Sequence, residues 1–295
     1  MVGFSAELQS HLDSGVSTLC RCWAITRKDG VSFGFTDHDL PLEFEGFAFK
    51  AETGLTASAL AQSTGLSVDN SEAIGALNDA AVTDADIESG RFDGAEVQSW
   101  LVNWAAPDER WLQFRGSIGE LRRGGGAFSA ELRGLTDGLN QPIGRVYQKP
   151  CTAVLGDGTC KANLDAPGMR IEVQVMQVED ARVFTWGELP GFATDWFARG
   201  RLDILDGPGA GLWGLIKRDV ASESARHVEL WEPIRAVLVP GVRVRLTAGC
   251  DKRFETCQVK FSNAVNFQGF PDLPGEDWMV AVPKSSGSNS GGSLR

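Results

Sequence analysis

The chain is poor in histidine and cysteine and has no long apolar run. Three His and six Cys among 295 residues leave few groups for metal or nucleophilic chemistry. Six cysteines are too few for a disulfide scaffold at this length, so any purpose they serve comes from their placement. No stretch approaches the roughly 18 apolar residues of a membrane-spanning helix, and no stable membrane insertion is expected. Basic residues are also scarce, 28 against 39 acidic ones, for a net charge of −11. Such a surface repels phosphate backbones and anionic bilayers, which argues against a sequence-independent grip on nucleic acid. The opening MVGFSAELQSHLDSG has neither a basic start nor an apolar core, so the expectation is synthesis in the cytoplasm without a secretory leader. No H-E-x-x-H or P-loop motif occurs. Arg122-Arg123-Gly124-Gly125-Gly126 reads as a hairpin tip, not a phosphate nest.

Turn formers are what the chain does have, with 35 Gly and 12 Pro. Ser5 to Leu19 carries Leu8, Leu12, Val16 and Leu19 on one stripe and predicts a helix. The period then drops to two. Cys20, Cys22, Ala24 and Thr26 alternate with Arg21, Trp23, Ile25 and Arg27, and Lys28-Asp29-Gly30 turns the chain into a partner strand, Val31–Phe35. Leu42–Phe49 (LEFEGFAF) holds a second tight reversal. Leu66–Asp69, Ala95–Trp104, Trp111–Glu120 and Ala127–Leu135 are further strands. Glu72–Leu77 and Asp84–Ser89 read as short helices, the second capped by Thr83.

Asn140 to Gly168 is loop-rich, with three prolines and two cysteines. Strands resume at Arg170–Val178, Gly200–Leu205, Gly211–Asp219, His227–Leu230 and Val242–Leu246, with the spacing of a second all-β unit. The expected fold is mainly β, antiparallel barrel or sandwich domains with short helical inserts. A β domain over residues 1–140 precedes a second one over 169–246. Loops over 141–168 and 247–283 carry four cysteines, and 284–295 (KSSGSNSGGSLR, from Lys284) is an expected disordered tail.

The cysteines fall into three pairs. Cys20 and Cys22 share one face of a strand, a possible metal half-site, yet free cysteine is among the most buried residue types and the pair reads better as core. Cys151 and Cys160 bracket eight residues, and Cys250 and Cys257 bracket six, each on what reads as a loop and not a regular element. Structural zinc typically uses about two to four residues between paired cysteines. Wider gaps leave room for an iron–sulfur cluster held by four thiolates. Spacing alone leaves metal, disulfides and inert thiols open. His11 and His227 read as surface residues, and His38, between Asp37 and Asp39, as part of a solvated hairpin loop. A thiol hydrolase pairing one cysteine with His38 or His227, a cluster-dependent oxidoreductase and a zinc-stabilised interaction module are the alternatives to a structural protein.

Four stretches carry a resemblance. DGVSFGFTDHDLPLEFEGFAFKAETGLTASAL, with GRFDGAEVQSWLVNW and ELRGLTDGLNQPIGRVYQKPC, resembles the N-terminal domain of baseplate, or tail-tip, hub proteins of siphophage-like particles and gene transfer agents. TAGCDKRFETCQVKFSNAVNFQGFPDLPGED resembles the C-terminal domain that accompanies it. The family looks related to the minor tail protein L of phage lambda, whose C-x₈-C and C-x₆-C pairs hold a [4Fe–4S] cluster. The resemblance implies the same ligand role for Cys151, Cys160, Cys250 and Cys257, although about 90 residues separate the pairs here. It further implies a homotrimer closing the distal end of a tail tube, a ring-closing assembly. A distal tail protein would lie above it and a tip or fibre-bearing baseplate protein below, with a cell-wall peptidase as neighbour. DNA would pass through an acidic lumen without specific binding. The protein would act in DNA delivery without being an enzyme.

Overall fold

The computed structural model describes residues 4–15, 18–51, 55–57, 70–76, 83–124, 127–135, 139, 144–222 and 224–273. The segment Leu66–Asp69 and the expected tail over 284–295 lie outside them. The chain divides into two compact units, Met1–Ile143 and Gly144–Arg295.

The first unit opens on helix α1, Ala6–Asp13, whose N-cap Ser5 accepts from the Leu8 amide. The helix is shorter than the apolar stripe suggests. Gly15 takes φ +73°, the left-handed turn that ends helices, and Leu19 already belongs to strand β1. A nine-stranded sheet follows: β1 Leu19–Thr26, β2 Ser32–Thr36, β3 Leu42–Phe44, β4 Phe47–Lys50, β5 Leu55–Ala57, β6 Asn70–Ala76, β7 Glu96–Asn103, β8 Arg110–Gly124 and β9 Ala127–Gly134. Its order is β3-β4-β2-β1-β7-β8-β9-β6-β5, antiparallel except where β2 meets β4. Glu45 and Gly46 at φ 50° and 79° give the β3–β4 hairpin the two positive dihedrals that a type I′ turn needs.

Helix α2, Asp84–Glu88, starts where Thr83 accepts from the Asp86 amide. The helix expected over Glu72–Leu77 is instead β6, which pairs with β9 from Asn70↔Arg133 to Ala76↔Ala127. Pairing on both sides overrides a weak local pattern. Both faces of the sheet are apolar. Trp23, Ile25, Phe35, Val97 and Leu132 pack together in one cluster, and Cys20, Cys22, Phe44, Phe49 and Trp100 in another. Cys20 and Cys22 are thus core residues of the first unit.

The second unit contains β10 Arg170–Gln174, β11 Gln177–Glu179, β12 Val183–Trp186, β13 Arg201–Ile204, β14 Trp213–Ala221, β15 Arg226–Leu230 and β16 Arg243–Thr247. Their order is β10-β16-β13-β14-β15-β12-β11, and every pairing is antiparallel. The two ends of this order are halves of one segment, bridged by Val175 and Met176. The sheet therefore curls toward closure as a small barrel. Phe184, Phe197, Leu202, Ile204, Ile216, Leu230 and Leu246 fill it with at most 1% exposure each.

One buried ion pair sits in this unit. Arg226 donates from Nε and Nη2 to the two carboxylate oxygens of Asp219, at 2.7 and 2.6 Å. Arg226 also donates to the carbonyls of Phe192 and Ala193, while the Phe197 amide donates to Asp219. Every charge is met by a partner, which is what makes a buried pair tolerable. The pair fixes the loop over 192–197 to β14 and β15. Strand β12 and helix α3, Phe254–Val259, lie where no regular element was expected.

Candidate metal centre

Four cysteines from two distant segments of the second unit line one pocket. Cys151 and Cys160 come from the loop ahead of β10, Cys250 and Cys257 from the chain after β16. All six cysteines of the chain are free thiols. Cys257 is not on a loop as its spacing suggested, since it lies in α3. A six-residue helix offers too few turns for a periodic signal to show.

Main-chain and side-chain bonds zip the two segments together. The Cys151 amide donates to the Lys252 carbonyl at 2.9 Å, and the Phe270 amide to that of Gln148 at 2.9 Å. Thr152 Oγ1 donates to the Gln268 carbonyl, and Lys252 Nζ to that of Ala153. Gly269 explains itself here. A Cβ at that position would meet the Lys149 carbonyl oxygen at 2.5 Å and Pro150 at 2.7 Å, so no larger residue lets the segments approach. Within the first loop, Asp157 accepts from the amides of Val154, Thr159 and Cys160. Those bonds, led by that of Cys160, hold its carboxyl down to about 2.

The sulfurs receive donors of their own. The Lys252 amide points at Cys250 Sγ and the Gln268 amide at Cys151 Sγ, both at 3.4 Å. Asn263, 9% exposed, donates from Nδ2 to the Cys160 carbonyl at 2.5 Å and lies 3.7 Å from Cys160 Sγ. Its own Oδ1 accepts from Asn266. The Cys257 thiol donates to the Asn263 carbonyl at 3.3 Å. Burial raises the Cys257 thiol to about 11, helped by the nearby Cys250, Cys151 and Cys160. Burial also raises Cys250, against the pull of the Lys252 amide and charge.

This donor set is soft. Ala153, Leu155, Ala162, Phe261 and Phe267 supply apolar walls, and among the described residues no carboxylate or histidine lines the pocket. Hard cations want oxygen ligands, whereas thiolates select zinc, copper(I) or iron–sulfur clusters. Among the described residues, no group of three or more His, Cys, Asp or Glu is disposed to hold a metal ion. A lone zinc needs four sulfurs about 2.3 Å from one point. The four thiols line one shared pocket, a donor set of the kind that thiolate-held groups use.

None of the three histidines is among the residues that line it. His38 packs on Trp104 at 4.9 Å between ring centroids and bonds the Leu40 amide. His227, exposed on β15, contacts Thr185 Oγ1. His11, half-buried, accepts from the Thr18 amide. The sequence singles out the four cysteines but not Asn263 or Lys252, which also line the pocket. The one available signal was an uncharged Asn among the aromatics of KFSNAVNFQGF.

Similarity to known proteins covers nearly the whole chain. A family model described as the N-terminal attachment domain of a baseplate hub protein matches residues 5–163. A second, described as phage conserved hypothetical protein BR0599, matches residues 195–277. A chain in the solved structure of the virion of a native gene transfer agent (GTA) particle is 52% identical, with a TM-score of 0.90, over 98% of this chain and 100% of that one. No curated protein matches. The first match takes in Cys151 and Cys160, the second Cys250 and Cys257.

Proposed function

This chain belongs to the baseplate hub family of phage-like particles, and from that premise we infer that three copies of it close the distal end of a tail tube. As a hub it is a structural component of the virion and is held among other tail proteins. In this reading a distal tail protein sits above the ring and a tip or fibre-bearing protein below, with a cell-wall peptidase as neighbour. DNA passes through the lumen during delivery. An acidic chain supports passage without capture, because gripping phosphates takes basic side chains. Open apolar surface supports assembly: Trp213, Leu215 and Trp231 are 51%, 51% and 59% exposed on the barrel, and aromatic surface of this kind is what interfaces cover.

Cys151, Cys160, Cys250 and Cys257 hold a [4Fe–4S] cluster in this reading. The observation that carries it is their convergence on one pocket from segments about 90 residues apart. Bound there, the cluster supplies a cross-link between the two segments and a one-electron couple. The chain's own residues set the frame: amides donate to two of the sulfurs, and apolar walls limit the approach of water. We take its main role as structural, a staple for loops that bury only a few small apolar side chains.

Iron and sulfide analysis of full-length protein purified without oxygen tests the cluster. Four of each per chain is expected, and folded protein without iron overturns it. Particles lacking the protein are expected to carry incomplete tails and to deliver no DNA. Imaging of the distal tail end counts the copies, and any number other than three rejects the trimer.

A further inference from the structure

Lys260 stands just beyond α3, three residues after Cys257, and its ammonium points inward. Nζ donates to the Trp196 carbonyl at 2.5 Å and to the Gly249 carbonyl at 2.8 Å. It lies 4.4 Å from the Trp196 ring centroid and 5.5 Å from that of Phe261. Gly249 directly precedes Cys250, Phe261 lines the thiol pocket, and Trp196 packs against the barrel core. Lys260 thus touches barrel, α3 and the Cys250 segment at once. Among the described residues it forms no ion pair. Its direct contacts are neutral carbonyls and ring faces, which partly replace water without forming an ion pair. Burial lowers its affinity for a proton, opposed first by Cys250 and then by Asp251 and Asp219.

A desolvated cation without a carboxylate partner is costly unless negative charge is supplied from elsewhere. Four thiolates around a [4Fe–4S] core of charge +2 carry a net charge of −2, and one-electron reduction adds another negative charge. We propose that Lys260 is the half-buried counter-charge of the cysteine site, a positioning residue that favours the loaded and reduced forms while tying the site to the barrel. The inference rests on the cluster reading above. The sign follows from Coulomb's law: a fixed positive charge lowers the energy of the more negative state, and so raises the reduction potential.

The test compares full-length wild type with Lys260→Met and Lys260→Arg, purified without oxygen. Iron and sulfide content, circular dichroism and a potentiometric titration followed by absorbance are the readouts. Lys260→Met is expected to shift the oxidised-to-reduced ratio at fixed potential at least tenfold toward oxidised. That equals about 59 mV for a one-electron couple. Lys260→Arg is expected to stay close to wild type. Iron lost from the Met variant but kept by the Arg variant also supports the charge role. An unchanged potential in Lys260→Met overturns it, as does an equal shift or equal iron loss in both variants. Should Lys260→Met not fold, Lys260→Gln, which keeps a donor to the two carbonyls, carries the same comparison. Wild type without iron sinks the cluster reading and this inference together, and is told apart because no variant is needed to see it.

Discussion

The barrel and the cysteine loops of the second unit are neighbours in sequence and are held by different means. The barrel buries thirteen apolar residues in one cluster. The loops around Cys160 bury three small ones, Ala153, Cys160 and Ala162. At about 25 cal/mol per Å² of apolar area, the first is self-sufficient and the second is not. What the loops have in place of a core is hydrogen bonding across segments and four convergent thiols. Fold and cross-link are therefore separable here, and each can be attacked without the other.

The largest effect is expected in the barrel. Arg226→Ala leaves the Asp219 carboxylate buried without its guanidinium and is expected to cost about 3–5 kcal/mol. Denaturant unfolding measures this, and the loss should be the same with and without iron. Replacing both partners by apolar residues, Arg226→Met with Asp219→Leu, is expected to cost much less than the single change, because no unpaired charge remains. If the single change costs nothing, the pair does not hold the 192–197 loop in place.

Next in size are changes at the pocket. Cys160→Ser is expected to abolish iron binding and to remove the stabilisation that a bound group gives, about 2.7 kcal/mol for a ligand at a hundred times its Kd. The apo barrel should unfold unchanged. A barrel that melts with the loops would erase the contrast drawn above. Asn263→Ala is smaller, about 1–2 kcal/mol, because the Cys160 carbonyl loses its donor and Asn266 its acceptor. It should weaken iron retention in a chelator challenge while leaving all four cysteines in place.

How much of this was legible beforehand follows the same division. Barrel strands such as β13 and β16 show in the sequence because each has two neighbours and a buried face, so alternation survives. The two Cys pairs show as spacing. Their meeting does not, since no local pattern encodes a contact across about 90 residues. Helix α3 and strand β12 are too short for a period to emerge. Helix α1 ended early at Gly15, a stop signal present in the sequence but outweighed by an apolar stripe that ran on into β1. Asn263 carries part of the site's polar frame, yet it looks like any surface residue until the fold buries it.

The smallest effect is the most local, and it lies in the loop between Cys151 and Cys160. Asp157 is lowered from 3.8 to about 2, first by the Cys160 amide and then by the Thr159 hydroxyl. A depressed carboxyl contributes stability above its unfolded value and loses it as pH falls through the folded one. The contribution is therefore complete above about pH 4 and gone below about pH 2. Amide exchange, as protection relative to the free-peptide rate, should fall at Val154, Thr159 and Cys160 across that window. Barrel amides such as those of Leu202 and Val244 should not follow it. Asp157→Asn should show weaker protection at neutral pH and no further change on acidification. If the three amides titrate with the barrel instead, loop and barrel are one cooperative unit, and the thiols are positioned by the barrel, with no contribution from Asp157.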